Sequence, residues 1–199
     1  MTAGCGIVHQ EMPLGDDTGV IEGFQLWVNL PASDKMMAPR YQGVSEDEIP
    51  VVQAEGGAQV RVIAGEVAGV RGPVVGIVTN PEYLDVTVPA GGRFEHGTQR
   101  GHTVFAYVIQ GTACFAEEPD TATNQECAAN GGAVLFGDGD RVVASAVGGG
   151  PARFLLVSGR PLGEPIAWGG PIVMNTQEQL RAAFQELEDG TFTDALNRG

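Results

Sequence analysis

Residues 133–146 read Ala-Val-Leu-Phe-Gly-Asp-Gly-Asp-Arg-Val-Val-Ala-Ser-Ala, two short apolar runs on either side of a Gly-Asp-Gly-Asp turn. Apolar runs of this length, punctuated by glycine and aspartate, are typical of β-strands joined by turns. The same pattern recurs at 152–158, 103–109, 84–88 and 59–64. Many short strands at close spacing predict a sandwich or a barrel.

The composition agrees with a folded, strand-rich protein. The 199 residues are 43% hydrophobic and 18% charged, and the 30 glycines and 12 prolines recur as turn residues. The formal net charge of −14 opposes binding to phosphate backbones, so we expect no direct nucleic-acid partner. The apolar runs are too short to span a membrane, and residues 1–6 do not resemble a signal peptide.

Three cysteines, Cys5, Cys114 and Cys127, lack the spacing of a metal site and leave an odd thiol. This usage favours a reducing compartment, and we expect a cytoplasmic protein.

One helix is predicted near the end of the chain. Asn175 or Thr176 is suited to cap it, and Glu178 is suited to complete a capping box. An apolar stripe follows, formed by Leu180, Ala183, Phe184 and Leu187, and Gly190 suits the helix end. A stripe this short indicates a helix that docks on the core, although binding to a partner is an alternative.

The strand pattern also predicts which side chains fill the core of the second half. We expect contributions from Leu84, Val86, Val88, Phe105, Tyr107, Ile109, Leu135 and Phe136. Near the start of the chain, residues 7–11 and the alternating segment 24–30 predict two further strands. Residues 31–49 are irregular and indicate a connecting loop.

His9 and Glu11 are the candidate chemical residues. On a strand, residues two apart face the same side, and imidazole with carboxylate suits a divalent transition metal. The spacing alone is a weak signal, and an exposed polar pair is the alternative.

The segments around this pair resemble the pirin family. The resemblance lies in Gly6-Ile7-Val8-His9-Gln10-Glu11-Met12-Pro13, in residues 23–31 (GFQLWVNLP), in Lys35-Met36-Met37 and in Pro39-Arg40-Tyr41-Gln42. Downstream it continues through residues 159–165, Gly170-Pro171 and Val173-Met174-Asn175-Thr176. These segments occur in the family's order at opposite ends of the chain.

The resemblance implies an all-β fold of two cupin barrels (double-stranded β-helix, or jelly roll), the first of them partial here, with one C-terminal helix. Residues 1–50 correspond to the remnant of the first cupin domain plus a linker, and residues 51–199 to the second. Pirins hold an iron-type metal in the first barrel through three histidines and one glutamate. His9 and Glu11 fall on the last two ligands, whereas the earlier His-x-His segment has no counterpart, as in a pirin shortened at its N-terminus.

The resemblance implies iron-dependent dioxygenase activity of the quercetin 2,3-dioxygenase type, with Glu11 also able to act as a base. With half of the ligands missing, we expect Fe(II) or another divalent transition metal to bind weakly and the activity to be impaired. Cys5 shares strand parity with His9 and is a candidate additional ligand, although a small buried cysteine is the alternative. The alternatives for the whole chain are a regulatory pirin that binds a protein partner, or an inactive fragment.

His96 and His102 faintly echo a cupin metal motif, but Thr98 replaces the paired histidine. Pirin second barrels are typically metal-free, so we expect surface or turn histidines there. A flavonol-like small molecule remains the expected substrate. Unpaired strand edges at 7–11 and 24–30 also predict self-association, and a homodimer would offer two His9–Glu11 pairs for one shared metal site.

Overall fold

The computed structural model describes residues 1–10, 15, 18–21, 23–116 and 126–193. The chain divides into two compact units, one formed by Met1–Gln42 with Leu162–Gly199 and the other by Gly43–Pro161. We call them the terminal unit and the barrel unit. Within the described ranges, no helix is long and apolar enough to cross a membrane.

The barrel unit consists of short antiparallel strands in two main sheets. Its strands are β1 (Val51–Gln53), β2 (Gln59–Ala64), β3 (Glu66–Val67), β4 (Val70–Arg71), β5 (Glu82–Val88), β6 (Arg93–Gly97), β7 (Thr103–Gln110), β8 (Thr112–Phe115), β9 (Glu126–Ala129), β10 (Ala133–Leu135), β11 (Arg141–Val147) and β12 (Ala152–Gly159). One sheet has the order β1-β2-β5-β12-β7-β10, and the other has the order β6-β11-β8-β9. A 3₁₀ turn at Glu46–Glu48 precedes β1, and β3 and β4 form a separate small hairpin.

Both sheets contribute to one apolar core, whose centre is aromatic. Phe154 packs edge-to-face against Phe94 and Phe115, with ring centroids 5.9 and 5.3 Å apart. Aliphatic side chains with no exposed surface surround these rings, among them Val60, Val62, Leu84, Val86, Val88, Val108 and Leu156. Burial of such side chains stabilises each position by about 1.5–3 kcal/mol. The strands predicted from the sequence supply many of the aliphatic side chains, whereas Phe94 and Phe115 lie on β6 and β8, which the sequence pattern did not predict.

The core prediction was right for β5 and wrong for β7 and β10. Leu84, Val86 and Val88 are buried, but β7 directs the smaller Val104, Ala106 and Val108 inward. Phe105, Tyr107 and Ile109 lie on the other face and are half-buried. Val134, not Leu135, faces the core, and Leu135 is 71% exposed, whereas Phe136 packs partly against the core. The reason is that β7 is apolar on both faces, and small inward residues leave room for the central aromatic rings.

A disulfide joins Cys114 on β8 to Cys127 on β9. The two residues face each other directly in the antiparallel ladder, with a Cα–Cα distance of 4.0 Å. The odd thiol is therefore Cys5. The sequence spacing did not predict this pairing, because it depends on the register of two strands.

The terminal unit contains the hairpin β13 (Ala167–Gly169) and β14 (Ile172–Met174), the helix α1 (Gln177–Glu188) and a 3₁₀ turn at Ala32–Asp34. Its core is small, formed by Ala167, Ile172, Leu180 and Ala183, with Met174, Phe184 and Phe192 packed against it. Thr176 caps α1 as predicted, but its capping-box partner is Gln179 and not Glu178. Gly190 has φ +72° just beyond the helix, which glycine adopts without strain.

Two predicted strands of the terminal unit are absent. The structure assigns no strand to residues 7–10 or 23–30. In the second segment Phe24, Trp27 and Val28 are 51%, 55% and 47% exposed. Both the odd- and the even-numbered positions are therefore exposed, and neither face is buried. A segment of alternating apolar and polar residues forms a strand only where a neighbouring strand supplies hydrogen bonds to its backbone and other residues cover its apolar face.

Candidate metal half-site

The segment before His9 is held in place by backbone contacts in the terminal unit. Thr2 and Arg40 form an isolated antiparallel bridge, with N–O distances of 2.7 and 2.9 Å. The Cys5 N–H donates to the carbonyl oxygen of Met37 at 2.9 Å. Gly6 is buried at φ +129°, and a Cβ there would stand 2.7 Å from the ring of Phe192. Glycine is therefore required where the chain passes this ring.

His9 lies three residues after Gly6 and is exposed. Its partner in the predicted site, Glu11, lies outside the described residues. The structure thus locates one of the two predicted ligands. An exposed imidazole on a tethered segment is accessible to a metal from solvent.

A buried lysine lies in the loop that contains Lys35-Met36-Met37. Lys35 is 6% exposed, and its ammonium donates to Asn29 Oδ1 at 2.7 Å. Burial lowers the pKa of Lys35, and the charge of Glu164 partly opposes this effect. The Glu164 carboxylate also accepts from the backbone N–H of Ala32 at 2.7 Å and from the Asn175 amide at 3.1 Å. These contacts tie the loop to the segment that precedes β13.

The described residues do not assemble a complete metal site. Among them, no group of three histidine, cysteine, aspartate or glutamate side chains is placed to hold a metal ion. Cys5 is half-buried in an irregular segment, so its predicted strand parity with His9 does not apply. We therefore derive no catalytic step through a metal from this geometry.

The second-barrel histidines lie in the barrel unit, and one of them is more buried than the sequence predicted. His96 Nε2 lies 2.9 Å from Glu82 Oε2, with side chains 11% and 17% exposed. Its ring stacks on Phe94 at a centroid distance of 6.0 Å. His102 is half-buried, near β7. The sequence does contain a sign of this contact. Glu82 lies two residues before Leu84 on β5, so both side chains point to the inward face.

The terminal unit also presents an exposed aromatic pair. The indole rings of Trp27 and Trp168 meet edge-to-face at 6.2 Å, and the two residues are 55% and 69% exposed. The Trp168 indole N–H donates to the Gly170 carbonyl oxygen at 2.8 Å. Ile166 is 67% exposed. Exposed apolar side chains of this size are a feature of binding surfaces.

Two antiparallel sheets of short strands around one core define a protein of the cupin class. The model of the Pirin C-terminal cupin domain matches residues 83–193. A pirin-like protein of Caulobacter vibrioides is 43% identical over 96% of this chain. A Pseudomonas aeruginosa protein named "Putative quercetin 2,3-dioxygenase" is 38% identical over 96% of it. The chain belongs to the pirin family.

A solved structure supports the same fold. The crystal structure of quercetin 2,3-dioxygenase from Acinetobacter baumannii matches 83% of this chain and 55% of its own, with a TM-score of 0.71 and 30% identity. The present chain spans 66% and 65% of the Caulobacter and Pseudomonas relatives. The all-β cupin fold with a C-terminal helix is thereby confirmed.

Proposed function

We propose that this chain carries half of a pirin-type metal site, His9 and Glu11, for dioxygenation of a flavonol such as quercetin. The observation that supports it is the exposed position of His9 beyond a tethered segment, in a chain related to quercetin dioxygenases. The metal would be Fe(II) or another divalent transition ion, and Glu11 would serve as ligand and base. His9 and Glu11 are two of the four ligands that the family resemblance implies, so we expect the activity of this chain alone to be impaired.

The test measures Fe(II) binding by calorimetry and quercetin consumption by absorbance. We expect turnover close to the uncatalysed background, and weak Fe(II) binding that falls at least about tenfold in His9→Ala. His102→Ala, a histidine of the barrel unit, is the matched control and leaves binding unchanged. Turnover comparable with a full-length pirin, lost in His9→Ala, would refute the impairment. Fe(II) binding that survives His9→Ala would overturn the site itself.

A protein-binding role is the second proposal, and the exposed Trp27–Trp168 pair favours it. We infer that this surface supports self-association of the chain. The predicted strand edges do not provide the contact, because residues 7–10 and 23–30 are not strands. Light scattering tests this proposal, and a clean monomer at micromolar concentration contradicts it. A dimer whose metal content survives His9→Ala contradicts only a metal site shared between two copies.

A further inference from the structure

The interior of the barrel unit changes from apolar to polar at one end. On β5, three fully buried side chains point inward, namely Leu84, Val86 and Val88. Because alternate residues of a strand face the same side, Glu82 continues this row. On β12 the inward row ends with Leu156 and then Ser158, which pairs directly with Glu82 in the ladder. Two polar residues therefore occupy positions where the pattern of the core calls for apolar ones.

A third strand adds an imidazole to the same end. His96 lies two residues after the buried Phe94 on β6, and its ring stacks on that phenyl ring at an interplanar angle of 16°. Its Nε2 lies 2.9 Å from Glu82 Oε2. The contact joins β5 of one sheet to β6 of the other. Burial of a carboxylate and an imidazole is unfavourable unless they are paired, and pairing here holds both in a fixed position.

A cavity of about 440 Å³ opens over this polar end. Its walls include Asn80, Glu82, Thr98, Gln99, His102 and Ser158. Small-molecule sites in proteins usually have volumes of about 300–1,000 Å³. At the rim Glu66 and Arg71 form an ion pair at 2.6 Å, so their charges offset each other. The cavity therefore offers neutral hydrogen-bonding groups around one paired carboxylate, beside the apolar side chains of Val74, Val75 and Ile77.

We propose that this cavity binds a neutral polyhydroxylated small molecule of the monosaccharide class. Hydroxyl groups both donate and accept, and they match a wall of amide, hydroxyl, imidazole and carboxylate groups. The Glu82 carboxylate accepts from ligand hydroxyls, and its contact with His96 fixes its orientation. A divalent metal is a poorer match, because the described residues hold no suitable group of three ligands.

The test is a titration followed by the backbone amide signals in NMR spectra. The probes are glucose, galactose, mannose, xylose and ribose, with quercetin and Zn²⁺ as competing classes. We expect saturable shifts at residues 80, 82, 96–102 and 158 with at least one sugar. Glu82→Gln keeps the size of the side chain, removes its charge and weakens binding about tenfold. Glu95→Gln is the matched control, because Glu95 is 49% exposed and pairs with Arg141 at 3.2 Å.

Three results would overturn the proposal. The first is the absence of saturable shifts with all five sugars up to about 50 mM, well above a millimolar dissociation constant. The second is a set of shifts confined to other residues. The third is saturation of these amides by quercetin or Zn²⁺ and not by a sugar. Should Glu82→Gln fail to fold, Gln99→Ala and His102→Ala replace it, and unchanged sugar affinity in both also overturns the site.

Discussion

The barrel unit and the terminal unit use apolar residues in opposite ways. The barrel unit encloses Phe94, Phe154 and a set of fully buried aliphatic side chains between two sheets. The terminal unit has a core of four buried residues and leaves Trp27, Trp168 and Ile166 more than half exposed. Both units contain segments in which apolar and polar residues alternate. Such a segment becomes a strand with a buried face only where a second layer covers that face.

The largest effect should come from matched leucines of the barrel unit. Leu84→Ala removes a fully buried side chain and should reduce the free energy of unfolding by about 2–5 kcal/mol. Leu135→Ala should change it by less than about 0.5 kcal/mol, since Leu135 is 71% exposed. Urea unfolding of both variants is the measurement. Equal losses would mean that the inward face of β10 has been assigned incorrectly.

Removal of the disulfide should lower the free energy of unfolding of the barrel unit by a comparable amount. Cys114 and Cys127 are 13 residues apart, and closing a loop of this size restricts the unfolded chain by about 3 kcal/mol. The double variant Cys114→Ser/Cys127→Ser should therefore unfold at lower urea concentration. Cys5→Ser is the control, because Cys5 is the free cysteine.

Thiol counting sharpens this prediction. Oxidised, unfolded protein should show one reactive thiol, and reduced protein should show three. Three thiols in protein purified without reductant, together with unchanged stability of the double variant, would contradict the cross-link.

The sequence predicted six of the twelve barrel strands, namely β2, β5, β7, β10, β11 and β12, but few of the contacts between them. β2 has the bounds that the alternation at 59–64 indicates. β7 ends at Gln110, just before Gly111, as the sequence predicted. The inward face of β7 was not predictable. Both faces of this strand are apolar, so the alternation does not show which set of residues points to the core. The metal-ligand role of His9 rests on the resemblance to pirins and stays a prediction, because the His9–Glu11 spacing alone is also that of an exposed polar pair.

The contacts that sequence reasoning missed are tertiary. Glu82 and His96 meet across two different sheets, so no local spacing relates them. Cys114 and Cys127 meet through the register of β8 and β9. Lys35 is buried in a loop that the sequence marks only as irregular. Polar contacts of this kind depend on how the chain packs, which a single sequence pattern does not specify.

The smallest effect is expected in the terminal unit, at Lys35, the only lysine in the sequence. Lys35→Met removes the hydrogen bond to Asn29 Oδ1 and leaves that oxygen and Glu164 without the ammonium. Loss of such a partner should cost about 1–3 kcal/mol near pH 7. Chemical unfolding measures this difference, and Arg181→Met, on the exposed face of α1, is the control.

The alkaline pH dependence of that difference tests the burial of Lys35 directly. Burial lowers the folded-state pKa of Lys35 below its ordinary value of 10.5, so in the window between the two the unfolded chain binds more protons. Stability must then rise with pH through this window, because the penalty for the charged ammonium, present below the folded-state pKa, disappears. The loss caused by Lys35→Met should therefore grow as pH rises toward 10.5. Tyr83, whose pKa is raised by burial, titrates in both proteins and cancels in the difference. A constant difference over this range would place the Lys35 ammonium in solvent, and a difference that shrinks would mean that the charge of Glu164 outweighs burial.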